Sequence, residues 1–196
     1  MNSTQYSTAL GILFLFLASS LWARPENPLS GKYILVIDMQ QNGTKYVLEP
    51  DVAQDLIDNV NLVISKADPE KVLYVEAIMA KLGISLTKLS VQFEPGMALD
   101  ERLNLVSNTR IVKTQANSFT AEQLQDFIKT TGARDFVLVG LMAEHCVKAT
   151  ALGGLEKRYT MTIIPEAIAA ESEESKAETI AELQKAGVKV LTLEEL

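Results

Sequence analysis

The chain has 196 residues, of which 47% are hydrophobic and 22% are charged, and its net charge is −7. This length and composition fit one globular domain with a sizeable core, and they exclude a disordered chain. No basic cluster offsets the negative charge, which argues against nucleic acid and anionic membrane surfaces as partners. The expected partner is therefore a small molecule or another protein.

The N-terminal residues predict a secretory signal peptide. The first charged residue is Arg24, and residues 9–21 form an apolar run that is shorter than the roughly 20 residues needed to span a bilayer. Ala23 closes a passable cleavage site, although the segment has no Lys or Arg, so retention as an uncleaved anchor stays open. The mature protein is expected to be periplasmic or secreted, without stable membrane association. The predicted organisation is a signal peptide (1–23), a linker (24–32) and a folded domain (33–196).

Apolar runs and helical repeats alternate along the rest of the chain. Residues 33–38 predict a buried strand, and residues 51–66 place apolar side chains at helical spacing. The alternation continues with strands at 71–77, 109–113, 135–139, 160–164 and 188–192, and with helices after Gly140 and at 121–131 and 172–186. Strands that alternate with helices predict parallel pairing through right-handed crossovers. The predicted fold is a three-layer α/β/α sandwich with a doubly wound, mainly parallel six-stranded sheet.

Two local patterns complete this prediction. Residues 79–108 have no clear period, although 94–96 indicate a turn and 97–106 a short helix. This region is a candidate for loops that contact a substrate. Thr120 and Gln123 have the spacing of a capping box for the helix that follows them.

Three ionisable residues follow predicted strands at their C-terminal ends. They are Asp38, Lys113 and Cys146, the only cysteine of the chain. Taken singly, Asp38 is typical of a turn, Lys113 of an exposed or ion-paired residue, and Cys146 of a small buried hydrophobe. In a parallel sheet, however, all these strand ends lie along one edge, where ligands bind. The three residues could therefore form one site.

The histidine count narrows the chemistry of such a site. The only histidine, His145, is the neighbour of Cys146, and adjacent residues on a helix point about 100° apart. A Cys-His pair, a Ser-His-Asp triad and a histidine-rich metal site are therefore disfavoured. The base for Cys146 would be Asp38, while Lys113 and the start of the helix would favour a thiolate. His145 would line the pocket or contact a loop.

The sequence around these residues resembles the isochorismatase-like cysteine hydrolase superfamily, which includes nicotinamidases and N-carbamoylsarcosine amidases. The matching segments are 36–40, 112–113, 117–119, 139–147 and 149–151. The resemblance implies that Asp38, Lys113 and Cys146 form a catalytic triad. It also implies a non-proline cis peptide at Leu141-Met142, with an oxyanion hole made by the backbone N–H groups of Met142 and Cys146. The pocket candidates are Gln40, Phe119 and His145.

Two departures from the family pattern limit the choice of substrate. Gly43 stands where an aromatic residue is common, and the Asp-x-His metal motif of nicotinamidases is absent from residues 76–81. Nicotinamide is therefore not expected as the substrate, and no metal or cofactor is expected. The resemblance implies a hydrolase that cleaves a C–N bond of a small molecule through a thioester. The alternative is an exported, non-catalytic binding module, and a homo-oligomer stays open in both cases.

Overall fold

The computed structural model describes the backbone of residues 27–85, 88–94 and 97–196, and the side chains of 27–78 and 97–196. The expected signal peptide, residues 1–23, lies outside these ranges and stays a prediction. Within the described ranges, no helix is both long enough and apolar enough to cross a bilayer.

The described chain contains eight strands and five α-helices. The strands are β1 (Tyr33–Ile37), β2 (Val72–Ala77), β3 (Met79–Ser85), β4 (Lys88–Glu94), β5 (Arg110–Lys113), β6 (Asp135–Leu141), β7 (Thr160–Ala169) and β8 (Lys189–Val190). The helices are α1 (Gln41–Tyr46), α2 (Pro50–Lys66), α3 (Glu122–Thr131), α4 (Lys148–Glu156) and α5 (Glu173–Ala186). Six strands form one sheet in the order β5-β2-β1-β6-β7-β8, and every neighbouring pair is parallel. The predicted six-stranded α/β fold is confirmed.

The two faces of the sheet bury two separate cores. Ile34 and Val36 of β1 pack in the core that contains Leu56 of α2. The intervening Leu35 and Ile37 pack in the core that contains Leu124 of α3. Because successive strand residues point to opposite faces, one continuous apolar run serves both layers. This produces the expected three-layer sandwich.

The two central strands come very close together at their C-terminal ends. Gly140 has a φ of 116°, and a Cβ added there would lie 2.1 Å from the Ile37 carbonyl oxygen. Only glycine combines that backbone angle with so close an approach. Asp38, the residue after Ile37, adopts a φ of 53° and turns the chain out of β1 towards α1. The sheet edge above β1 and β6 is thus built from unusual backbone conformations.

The poorly patterned middle region differs from the prediction. Strands β3 and β4 form a separate antiparallel ribbon, in which Leu82 pairs with Val91 and Ile84 with Leu89. The short helix expected at 97–106 is wrong, since this segment consists of turns and extended chain. The reason lies at Asp100, whose Oδ1 accepts the Arg102 backbone N–H at 3.0 Å and so fixes a turn. The turn expected at 94–96 lies partly outside the described residues.

The predicted capping box at Thr120 and Gln123 is also wrong. Thr120 donates its hydroxyl to the Asn117 carbonyl at 2.7 Å, and the residue that precedes α3 is Ala121. Gln123 instead accepts the N–H of Val112, a β5 residue, at 2.7 Å. Gln123 therefore accepts a hydrogen bond from a strand N–H instead of capping the start of its own helix.

Candidate active site

The structure brings the three predicted residues together at one edge of the sheet. Asp38 follows β1, Lys113 ends β5 and Cys146 follows β6. The Lys113 Nζ donates to Asp38 Oδ2 at 2.9 Å, and the lysine side chain is only 1% exposed. A lysine so deeply buried requires a partner for its charge. Lys113 therefore forms a buried ion pair. The sequence indicated either an exposed lysine or an ion-paired one, and the second is observed.

The Asp38 carboxylate is only partly satisfied. While Oδ2 is paired with Lys113, Oδ1 is buried and has no hydrogen-bond partner among the described residues. A buried carboxylate oxygen without a donor is unfavourable, so such groups are uncommon and concentrate at functional sites. Oδ1 is therefore available to accept a proton.

Cys146 lies within reach of both members of this ion pair. Burial is the main factor that raises the pKa of its thiol, and the charge of Asp38 and a hydrogen bond to it raise the pKa further. A hydrogen bond to Lys113 and its charge lower that pKa, but by less. The expectation of a resting thiolate is therefore wrong, because desolvation and the carboxylate outweigh the lysine and the helix start. Burial and the carboxylate therefore favour the thiol form of Cys146 over the thiolate.

The chain just before and around Cys146 contains a cis peptide bond and a π-helical turn. The expected non-proline cis peptide at Leu141-Met142 is confirmed. A π-helical turn, Ala143–Val147, then leads into α4. In it, the N–H groups of His145 and Val147 donate to the Met142 carbonyl at 3.1 and 3.2 Å. Both flanking residues of Cys146 thus bond to one carbonyl, which tightens the turn that carries the cysteine.

Two of the three pocket candidates are structural. The Gln40 amide accepts the Ala77 N–H at 2.9 Å and donates to the Met97 carbonyl at 2.8 Å. Gln40 therefore links the end of β2 to the segment after the ribbon, which uses its polar atoms internally. Phe119 is 1% exposed and packs edge-on against Phe136, with ring centroids 5.2 Å apart. It is mainly a core residue, and a cavity that it lines lies beside α3, with Ile128 and Tyr159.

His145 is the pocket candidate that is exposed, and it belongs to a group of polar side chains. Its Nε2 lies 3.6 Å from Glu171 Oε1. Single ligand atoms of Glu144, His145 and Glu171 all lie within 4.8 Å of one another, a spacing that could hold a metal ion. The sequence did not indicate this group, because Glu171 is distant in the chain and exposed glutamates are common.

A cavity of about 310 Å³ adjoins the turn before Cys146. Met142 and Ala170 contribute to its lining together with Val47 and Val52, and Glu49 and Glu171 add negative charge. Sequence analysis missed this cavity because exposed valines beside a helix carry no distinctive pattern.

Solved structures share this architecture. An isochorismatase-like hydrolase from Alkaliphilus metalliredigens superimposes with a TM-score of 0.66 at 21% identity, covering 84% of this chain and 95% of that one. N-carbamoylsarcosine amidase from Thermoplasma acidophilum superimposes with a TM-score of 0.67 at 18% identity, covering 84% of this chain and 98% of that one. At identities this low, the superpositions show that the fold is shared and nothing beyond that.

Sequence comparison gives a shorter match and a longer one. A protein of Arabidopsis thaliana named "probable inactive nicotinamidase" is 30% identical over 94 residues, which is 47% of this chain and 48% of that protein. The alignment thus spans about half of either chain. The family model of the isochorismatase domain matches residues 32–195, which include every strand and helix described above. The chain therefore belongs to the isochorismatase family.

Proposed function

We propose that this protein is a cysteine hydrolase that cleaves a C–N bond in a small amide or carbamoyl compound. The observation that carries the proposal is that Asp38, which is paired with Lys113 and has one oxygen without a partner among the described residues, interacts with the Cys146 thiol. A neutral thiol requires a base before it can attack, and a buried carboxylate oxygen without a donor is suited to that role. Family membership and the fold shared with an amidase support the same reaction class.

The first half of the reaction forms a thioester. Asp38 Oδ1 takes the proton of Cys146, whose sulfur attacks the substrate carbonyl carbon. The N–H groups of Met142 and Cys146 bind the resulting oxyanion, and each such donor is typically worth about 10²–10³ in rate. When the tetrahedral intermediate collapses, the C–N bond breaks and the departing nitrogen takes the proton from Asp38. Throughout, Lys113 holds Oδ2 and balances the charge of the site.

The second half releases the acid. Asp38 accepts a proton from a water molecule, whose oxygen attacks the thioester carbonyl. The C–S bond then breaks, the sulfur regains its proton, and a carboxylic or carbamic acid leaves.

The acidic residues Glu49 and Glu171 beside Met142 disfavour an anionic group in the adjacent cavity. We therefore expect a neutral or cationic substrate.

The test is a hydrolysis screen with neutral, cationic and anionic amides and carbamoyl compounds. Cys146→Ala is expected to lower kcat/KM for any substrate found by at least about 10³-fold, because the nucleophile is lost. Mass spectrometry of the wild type quenched during turnover should detect an acyl adduct on the only cysteine. Full activity in Cys146→Ala would refute the proposal.

A second candidate is a binding protein that keeps the fold without turnover. The raised thiol pKa favours it, as does the likeness over half the chain to a protein described as inactive. If this candidate is correct, amides should bind equally to the wild type and to Cys146→Ala, and neither should form an acyl adduct. Calorimetric titration of both proteins with the compounds of the screen distinguishes the two functions.

A further inference from the structure

The helix that follows Cys146 is docked on the loop that follows Lys113. Thr150, one helical turn after Cys146, is fully buried and accepts the Ser118 N–H at 3.0 Å. Its hydroxyl is also 2.9 Å from the Ser118 Oγ, and it donates to the Ala116 carbonyl at 3.4 Å. One hydroxyl group thus connects α4 to three polar groups of the loop, and it uses both its lone pairs and its proton.

The same loop holds the ammonium group of the candidate site. The Ala116 carbonyl accepts from Lys113 Nζ at 3.2 Å, while Asp38 Oδ2 accepts from that Nζ at 2.9 Å. The carbonyl oxygen of Ala116 is therefore shared between Lys113 and Thr150. Any displacement of this carbonyl changes where the ammonium lies relative to Asp38 and Cys146.

Close packing leaves this connection little freedom. A Cβ added at Gly153 would lie 2.0 Å from Asn117 Nδ2, so that α4 contacts the loop directly along the face of Thr150. Asn117 is itself held by the Phe119 N–H, which donates to its Oδ1 at 2.9 Å. The nucleophile and the ammonium are thus carried by two elements whose contact is fixed by Thr150.

We propose that Thr150 is a positioning residue, whose hydroxyl sets the place of the Lys113 ammonium relative to the Cys146 thiol through the Ala116 carbonyl. This inference rests on the proposed function in taking Cys146 as the nucleophile. Its effect can nevertheless be measured without a substrate, because Lys113 lowers the pKa of the thiol. Loss of the correct lysine position should therefore raise that pKa further.

The experiment compares Thr150→Val with Thr150→Ser, since valine keeps the shape and serine keeps the hydroxyl. The thiol pKa is measured from the rate of iodoacetamide alkylation across pH, with the melting temperature recorded in parallel. Thr150→Val is expected to raise the thiol pKa by about half a unit or more, which lowers the alkylation rate at neutral pH about threefold. Thr150→Ser is expected to match the wild type in this measurement.

Thr162 provides a matched control. It is a buried threonine of β7 whose Oγ1 has no hydrogen-bond partner in the described part of the protein. Thr162→Val makes the same chemical change in the core and should leave the thiol pKa unchanged. A folded Thr150→Val protein whose thiol pKa equals that of the wild type and of Thr162→Val overturns the proposal.

Two further outcomes keep the result decisive. If Thr150→Val does not fold, Ser118→Ala replaces it, because it removes one of the groups that hold the Thr150 hydroxyl; an unchanged thiol pKa in that variant also overturns the proposal. If Thr150→Val raises the thiol pKa but the wild type hydrolyses no amide, the result contradicts the proposed function and leaves the positioning role intact. If the wild type hydrolyses an amide but Thr150→Val leaves the thiol pKa unchanged, the result contradicts the positioning role and leaves the proposed function intact.

Discussion

Two carboxylates near the same edge of the sheet, buried Asp100 and partly buried Asp38, have very different sets of hydrogen-bond donors. Asp100 Oδ1 accepts the Arg102 backbone N–H at 3.0 Å and Nε at 2.9 Å. Its Oδ2 accepts Arg102 Nη2 at 2.8 Å and the Thr44 hydroxyl at 2.5 Å. Asp38 instead has one cationic partner, Lys113, for Oδ2 and no donor for Oδ1 in the described structure.

The difference separates stability from reactivity. The Arg102 guanidinium, with the help of Thr44, holds the pKa of Asp100 well below its usual range, so that this carboxylate stays ionised and inert. Asp38 keeps one oxygen free and a φ of 53°, a backbone conformation that non-glycine residues seldom adopt. A fully bonded carboxylate stabilises the fold, whereas a partly bonded one beside a thiol is available for proton transfer.

The largest effect is expected from Asp38→Asn. The amide cannot take the thiol proton, so kcat/KM should fall by about 10³-fold or more. The free energy of unfolding should also fall, because the substitution leaves the buried Lys113 ammonium without its carboxylate. Kinetics and urea denaturation on the same preparation measure both quantities. Retained activity would break the contrast with Asp100.

Asp100→Asn should lower stability without a comparable loss of activity. Its loss leaves Arg102 and Thr44 without their acceptor, and since Arg102 is partly exposed the expected cost is about 2 kcal/mol in the free energy of unfolding. The neighbouring Glu101 pairs with Lys45 at 3.1 Å but is 74% exposed, so Glu101→Gln should cost less than about 0.5 kcal/mol. Equal losses in the two variants would show that the buried network adds nothing.

A smaller effect should appear in acid. Because the folded-state pKa of Asp100 lies below its unfolded value, its contribution to stability is present above about pH 4 and is lost as the pH falls below that. Between pH 4 and pH 3 the wild type should therefore lose about 1 kcal/mol more than Asp100→Asn. Urea titrations at both pH values measure this difference. Parallel losses in the two proteins would contradict the assignment.

The sequence predicted the sheet well because its strands are continuous apolar runs. The placement of Asp38, Lys113 and Cys146 at one edge then followed from parallel pairing alone. Gly132 and Gly187, with φ values of 70° and 104°, end α3 and α5 where the pattern places helix ends.

The errors arose where side-chain hydrogen bonds replaced the expected helix patterns. The segment around Asp100 lost its expected helix to a side-chain turn, and Gln123 bonded to Val112 rather than to its own helix. The direction of the Cys146 pKa depends on burial, which a linear pattern does not specify. The role inferred for Thr150 depends on a contact with a loop more than 30 positions earlier.

The raised pKa of the only cysteine has a consequence for its reaction with oxidants. Thiolates, rather than thiols, react readily with peroxides and disulfides, and a sulfenic acid on this chain would have no second cysteine to rescue it. A permanently ionised Cys146 would therefore be consumed by oxidants, step by step, towards sulfinic and sulfonic acids. Burial and the Asp38 carboxylate favour the thiol form of Cys146, which should slow its reaction with oxidants. In the proposed reaction, the thiolate would form only when Asp38 takes the proton.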